Sequence, residues 1–220
     1  MSRRRAARKW RLALGVAIGV VAMLPLAAQT PAIPADAAAI LAKAASLYTD
    51  GGAHTSAFTQ IYTPSGFANS RREAGSVWIQ APQRLRFEYA APEKKIFTYD
   101  SGEGRFFSPE DKQLTIRKLS AEEVARLPIV FLARPDELAK RYEIQLDSSR
   151  AVLFKPRAAD PELAWLKLSI KPSGEVHALS YEDASGSRTE FRFEGWKTEK
   201  ARPAADYRIE GPKGTRIVEN

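Results

Sequence analysis

The chain has 220 residues, of which 44% are hydrophobic and 27% are charged, a composition typical of a folded protein rather than a disordered one. Six of its 34 basic residues lie within residues 1–28, which hold no acidic residue, so the remainder carries 28 basic against 26 acidic residues. This near balance removes the main support for binding to nucleic acid. The chain has no cysteine, which excludes disulfide bonds and the acylation of a lipobox cysteine.

Residues 1–28 have the parts of a secretory signal peptide. A basic segment, MSRRRAARKWR, precedes the apolar run LALGVAIGVVAMLPL, which small residues follow. The apolar run is about 15 residues long, whereas a helix needs roughly 20 to span a bilayer. We predict export and cleavage after Ala28, with Ala37 as a second candidate, which leaves residues 29–220 as a single periplasmic domain. An uncleaved N-terminal anchor is the alternative.

A helix and then a series of strands are predicted after this leader. The segment ADAAAILAKAASLYTD, residues 35–50, has the apolar spacing of an amphipathic helix, and Gly51-Gly52 ends it. Alternation of apolar and polar residues between turn signals then predicts strands. These strands occupy residues 54–63, 70–80, 84–90, 95–100, 104–108 and 112–119.

The pattern becomes helical in the middle of the chain. Ser120 and Glu123 form a capping box, and Pro128 interrupts the helix after little more than two turns. The apolar stretch PIVFL follows, and Pro135 begins a further turn of helix. Alternation then returns and predicts strands at 142–146, 151–157, 163–171, 175–183 and 187–197, with a last short strand at 206–210 (DYRIE). The chain is thus mainly β, with about eleven strands.

The strands share one heavy apolar face that must be covered. In RLRFEY the residues Leu85, Phe87 and Tyr89 alternate with charged residues, and later strands repeat this pattern. Two interpretations are open. The few helices could simply plug a curled sheet, so that the face is core. Alternatively, part of the face could line a cavity for an apolar ligand, with the middle helices as a lid.

Two of the predicted strands carry short motifs: AFTQIYT contains Phe-x-Gln, and GSVWIQAP reads Gly-x-x-Trp-x-x-x-Pro. Both motifs resemble those of the outer-membrane lipoprotein carrier family, LolA. The family then runs through an Arg-Pro pair, an aromatic-rich strand, a Pro turn, an Ile-x-x-x-Asp-Gly stretch, an aromatic pair, an Asn-Pro or similar pair and a Gln. The matching positions here are Ala81-Pro82, LRFEY, Pro92, Ile96 to Asp100, Phe106-Phe107, Ser108-Pro109 and Gln113. The resemblance extends through LAWLKLSIKPSGEVHALSYED.

This resemblance implies an incomplete, half-open antiparallel β-barrel with a helical lid and an apolar cavity for acyl chains. The implied partners are acylated lipoproteins as cargo, an inner-membrane ABC-type lipoprotein-release complex and an outer-membrane acceptor lipoprotein. A monomer with no metal or cofactor is expected. The residues that we predict to line the cavity are Phe58, Val77, Ile79, Leu85, Phe87, Tyr89, Leu166, Leu168, Ile170, Phe191 and Phe193, and those of the lid are Leu127, Val130, Phe131 and Leu132.

One departure from the family bears on how the lid is held. Ala81 stands where the family often has an arginine that joins lid to barrel, and alternation places it on the face of Val77 and Ile79. Arg84 and Arg86 have the opposite parity, which predicts an outer, solvated position. We therefore expect a lid held mainly by apolar contacts and displaced toward its open state.

Other functional classes have less support. The chain has only two histidines, His54 and His177, and neither a G-x-S-x-G elbow nor an H-E-x-x-H zinc motif, so an enzyme is not expected. The remaining alternative is a half-barrel that binds lipid or glycolipid, or senses the state of the envelope, without carrying lipoproteins.

Overall fold

The computed structural model describes residues 33–133, 135–148 and 150–219. The predicted signal peptide and its cleavage at Ala28 lie outside the described residues, whereas the second candidate, Ala37, lies in the first helix and is buried. The helices are α1 (Ala35–Tyr48), α2 (Ala121–Ala125), α3 (Pro128–Ala133) and α4 (Pro135–Arg141), with a 3₁₀ helix at Ala204–Tyr207. The strands are β1 (Ala53–Thr63), β2 (Arg71–Gln80), β3 (Arg84–Ala91), β4 (Lys95–Asp100), β5 (Glu103–Ser108), β6 (Gln113–Lys118), β7 (Tyr142–Ser148), β8 (Ala151–Pro156), β9 (Trp165–Ile170), β10 (Val176–Glu182), β11 (Arg188–Glu199) and β12 (Arg216–Glu219).

All twelve strands form one sheet, in the order β12-β6-β5-β4-β3-β2-β1-β11-β10-β9-β8-β7. Each pairing is antiparallel except that of β12 with β6, which is parallel. Because β12 and β7 stand at opposite ends of this order, the described strands curl without closing. The predicted half-open, mainly β architecture is confirmed.

Helix α1 covers the inner face of the sheet, by which we mean the face that packs against the helices. Its buried residues, Ala37, Leu41, Ala44 and Tyr48, recur at intervals of four, three and four, which places them in one stripe along the helix. The helix contacts α3, α4, β7 and β8. Its last buried residue also bonds to the sheet, since the Tyr48 hydroxyl accepts a hydrogen bond from the backbone N–H of Val176 at 3.0 Å.

The middle helices cover another part of the same face. The predicted capping box at Ser120 and Glu123 is present, and it begins a helix α2 that buries no residue. Pro128, at the start of α3, separates the two helices, and α3 buries Phe131 and Leu132. The ring of Phe131 lies 5.3 Å from that of Tyr142 and 5.1 Å from that of Phe154. Helix α3 is therefore anchored in the core, whereas α2 rests near its surface.

The outer face of β2–β5 carries a segment that the sequence analysis assigned wrongly. Residues 206–210 do not form a strand. The 3₁₀ helix and the residues after it cross the outer face instead, with Tyr207 and Ile209 buried, and the last strand comes later, at β12. The prediction failed because Tyr207 and Ile209, which both point toward the sheet, are two positions apart. That is also the spacing of residues on one face of a strand.

This crossing segment, residues 202–210, is held by polar contacts as well as by the burial of Tyr207 and Ile209, and it is called the strap below. Arg208 Nε donates to Asp100 Oδ2 at 2.7 Å, and Arg84 Nε donates to Asp100 Oδ1 at 3.2 Å. Arg86 donates to the backbone carbonyl of Asp206 and lies over the ring of Trp78. Arg84 and Arg86 are thus on the outer face, as predicted, but the prediction that they are solvated is wrong because the strap covers that face.

Candidate functional site

The centre of the inner face is an aromatic cluster built by strand register. Phe58 on β1 lies opposite Phe193 on β11, and Phe87 on β3 lies opposite Val77 on β2. The ring of Phe58 approaches those of Phe87 and Tyr89 at 5.2 and 5.0 Å, nearly perpendicular to both. Such edge-to-face contacts stabilise aromatic pairs beyond the burial of their area. The alternating residues of the sequence therefore meet in space.

Ten of the eleven predicted cavity residues are buried, and Tyr89 is half-buried. Five of the eleven, namely Leu85, Phe87, Tyr89, Leu166 and Phe191, line a cavity of about 380 Å³ beside the lid. The other six, namely Phe58, Val77, Ile79, Leu168, Ile170 and Phe193, pack together in the hydrophobic core. Whether any of the eleven contacts a lipid stays a prediction.

The four predicted lid residues also divide between cavity walls and the hydrophobic core. Leu127 lines the cavity with the five sheet residues, together with Pro128 and Arg126. Val130 lines a second cavity, of about 370 Å³, with Tyr99, Val124 and Leu138. Phe131 and Leu132 are 1% and 3% exposed, so they belong to the core. The lid segment 121–130 therefore has a cavity on each side.

Six further residues of the cavity were missed from the sequence: the charged Arg126 and Glu162, and the apolar or aromatic Phe97, Pro128, Leu163 and Tyr181. Phe97 lies opposite Phe87, and Tyr181 lies opposite Leu166, so both extend the predicted face onto neighbouring strands. The strands that hold Phe97 and Tyr181 were predicted. Pairing them with the neighbouring strands of each hairpin would have placed both residues on the predicted apolar face. Leu163 was predicted as the first residue of the strand 163–171, but β9 begins at Trp165, so Leu163 lies in the loop before the strand and outside its alternation.

The polar groups near the cavity are paired. Tyr89 donates its hydroxyl hydrogen to Gln60 Oε1 at 2.6 Å, and Lys95 Nζ lies 2.5 Å from Glu73 Oε1 and 4.5 Å from the centre of the Tyr89 ring. Burial raises the pKa of the Tyr89 phenol, and the carboxylate of Glu73 raises it further. The phenol is neutral at physiological pH, so Tyr89 itself adds no charge to this wall of the cavity.

The described residues contain no group of three or more His, Cys, Asp or Glu side chains that could hold a metal ion. Buried His54 bonds to Asp50 at 2.9 Å and to Thr198 at 3.3 Å, and its ring packs edge-on against Tyr48 at 5.1 Å. The hydrogen-bonded residues Asp50, His54 and Thr198 join the end of α1 to β1 and β11. None of these three residues lines the 380 Å³ cavity. Within the described ranges, no helix has the length and apolarity required to cross a membrane.

Comparison with known proteins agrees with the fold. Outer-membrane lipoprotein carrier proteins of Xanthomonas campestris and Pseudomonas fluorescens are 29% and 24% identical, over 73% and 75% of this chain and 79% and 81% of theirs. An uncharacterized conserved protein from Thermus thermophilus has the same fold, with a TM-score of 0.52, 13% identity and coverage of 84% of this chain and 99% of that one. Residues 52–210 match the family of the outer membrane lipoprotein carrier protein LolA, and the chain belongs to that family.

Proposed function

We propose that this protein is a periplasmic chaperone that binds the acyl chains of lipoproteins in its cavity and carries them from the inner to the outer membrane. The observation that supports this function most directly is the 380 Å³ cavity, whose walls are mainly aromatic and aliphatic and whose cover is the lid residue Leu127. A volume of this size falls within the range of about 300–1,000 Å³ typical of ligand pockets.

The physical need for such a container follows from the hydrophobic effect. Burying an acyl chain gains about 0.8 kcal/mol for each CH₂ group, so a lipoprotein cannot cross an aqueous compartment with its chains exposed. A carrier must also release its cargo, which requires a cover that moves at low cost. Since α2 buries no residue and cavities lie on both sides of segment 121–130, a displacement of that segment would join about 380 and 370 Å³ of space.

The proposed route has three partners. The cargo is an acylated lipoprotein, the donor is an inner-membrane ABC-type release complex, and the recipient is an acceptor lipoprotein of the outer membrane. The protein would reach the periplasm through a signal peptide cleaved near Ala28, and it would act there as a monomer. The names of the curated relatives, which describe lipoprotein carriers, support the cargo class.

The proposal can be tested with a triacylated lipopeptide, palmitoylated and dipalmitoylglycerylated on its N-terminal cysteine. We expect Leu127→Trp to weaken lipopeptide binding about tenfold, because the larger side chain takes space that the acyl chain needs, and forcing both into the cavity would cost roughly 1–3 kcal/mol. Leu146→Trp is the matched control, since Leu146 is 39% exposed on the edge strand β7. Titration calorimetry would measure both affinities.

Two results would count against the proposal. If the wild-type protein bound diacyl phospholipid or glycolipid but not the lipopeptide, a lipid-binding or envelope-sensing module would be the better account. If Leu127→Trp bound the lipopeptide as tightly as Leu146→Trp, the cavity beside the lid would not be the site. Equal unfolding midpoints for the two variants would exclude a loss of folding as the cause.

A further inference from the structure

Arg126 connects the lid to the β8–β9 loop at the wall of the cavity. It ends α2, and its Nε donates to Asp160 Oδ2 at 3.0 Å, while Nη1 donates to the carboxylate of Glu162. Both acidic residues belong to the loop between β8 and β9, far from Arg126 in sequence. Arg126 and Glu162 are also the two charged residues among those that line the 380 Å³ cavity.

The acidic side of this contact is held in place by the sheet. Asp160 Oδ1 accepts a hydrogen bond from the backbone N–H of Glu162 at 2.9 Å, which leaves Oδ2 directed at Arg126. The same loop bonds to the β10–β11 hairpin, through Ala164 N–H to Glu182 O at 2.7 Å and Ala184 N–H to Pro161 O at 3.2 Å. The carboxylate is thus ordered before the arginine reaches it, so little entropy is lost when the pair forms.

The lid side of the contact lies where apolar anchoring is weakest. Helix α2 buries no residue, and the next firmly buried lid residue is Phe131, five positions after Arg126. The side chains of Arg126 and Asp160 are only 25% and 19% exposed, so solvent screens this pair less than a surface pair. Glu162 is 71% exposed and contributes less.

We propose that Arg126 is the positioning residue of the lid: its ion pair with Asp160, assisted by Glu162, holds the segment from α2 to Pro128 closed over the cavity. Breaking the pair frees that segment, and the cavity opens between the lid and the β8–β9 loop. This inference rests on the proposed function, because it concerns the entry of acyl chains. It adds a charged contact to the expected apolar ones, since Val124 and Leu127 also pack against the core and Phe131 and Leu132 are buried in it.

Hydrogen exchange of the ligand-free protein tests the latch. We expect Arg126→Gln to speed exchange of the amides in residues 121–127 by about fivefold to tenfold, the effect of losing charged hydrogen bonds that are partly solvent-exposed. Asp160→Asn should have the same effect, and the double variant should add little, because the two side chains form one contact. Arg192→Gln is the matched control, since Arg192 pairs with Glu190 on β11 away from the lid.

The outcomes separate this inference from the proposed function. Exchange in residues 121–127 that is the same for Arg126→Gln and Arg192→Gln would overturn the latch, as would full additivity of Arg126→Gln and Asp160→Asn. Lipopeptide should associate with and dissociate from Arg126→Gln several times faster than from the control, and unchanged rates would also contradict the latch. Failure of the wild-type protein to bind lipopeptide would overturn the proposed function alone, because the exchange measurement needs no ligand.

Discussion

The two covers of the inner face, α1 and the lid, achieve burial by different means. Helix α1 presents one continuous buried stripe, in which Ala37 and Ala44 allow close approach and Leu41 and Tyr48 fill space. The lid is divided at Pro128, so neither α2 nor α3 is long enough to form such a stripe. A cavity lies beside the lid. The same sheet face is therefore sealed under one cover and left hollow under the other.

This difference assigns stability and function to separate parts of the sheet. Contacts under α1 and α3 are dense, so opening them exposes buried apolar area at a high cost in free energy. Contacts under α2 are few, and segments with few buried contacts open locally well below the global free energy of unfolding. We therefore expect the binding and release of cargo to use the lid while α1 and the rest of the core stay folded.

The largest loss of stability is expected when a buried side chain of α1 is shortened. Leu41→Ala should lower the free energy of unfolding by about 2–5 kcal/mol, because Leu41 is 1% exposed and its removal leaves a cavity. Val124→Ala in α2 should cost about 1 kcal/mol or less, since Val124 is only partly buried. Urea denaturation would measure both values. Lipopeptide binding by folded Leu41→Ala should equal that of wild type.

Equal losses of stability in the two variants would contradict the assignment of separate roles to α1 and the lid. A loss of lipopeptide affinity confined to Leu41→Ala, under conditions where it remains folded, would place the binding site under α1 instead.

A smaller loss of stability, which depends on pH, is expected when a contact between the strap and the outer face of the sheet is removed. Burial by itself would raise the pKa of the Asp100 carboxyl, but hydrogen bonds from Arg208, Ser101 and Arg84 outweigh it and lower the pKa. Because the folded-state pKa lies below the unfolded value of about 3.9, this stabilisation is present above that value and is lost as the pH falls through the folded-state pKa. Asp100→Asn should cost about 1.5 kcal/mol at neutral pH and reduce the loss of stability in acid.

Denaturation midpoints between pH 2.5 and pH 6 would check this prediction, with Asp147→Asn as the control because its pair with Lys167 is long, at 3.4 Å, and exposed. If the denaturation midpoints of Asp100→Asn and of the control changed with pH in the same way, Asp100 would not stabilise the strap.

The sequence alone predicts the sheet well because alternation is a local property. In strands such as β3, six residues of alternating sequence are enough to predict the buried face, and the capping box at Ser120 marks the start of α2. The strand β12 escaped prediction because it is four residues long and joins β6 in parallel, without a hairpin turn to signal it. Its neighbour, the strap, imitated a strand through the spacing of Tyr207 and Ile209.

The candidate site was only partly predictable, for a physical reason. Alternation tells which side chains share a face, but whether that face is packed or hollow depends on what lies opposite. Phe193 and Phe191 have identical local patterns, yet only Phe191 lines the 380 Å³ cavity. Arg126 carried no signal at all, because its partners lie 34 and 36 residues away in a loop.

The most direct test of the central claim is to observe which methyl groups contact a bound acyl chain. In the methyl-labelled protein with the triacylated lipopeptide, we predict nuclear Overhauser effects from the acyl methylenes to Leu85, Leu127, Leu163 and Leu166. We predict none to Leu41 or Val176, which lie in the sealed region. Contacts to Leu41 and Val176 instead, or to Leu114 and Ile209 alone, would show that the acyl chains bind somewhere other than the cavity beside the lid.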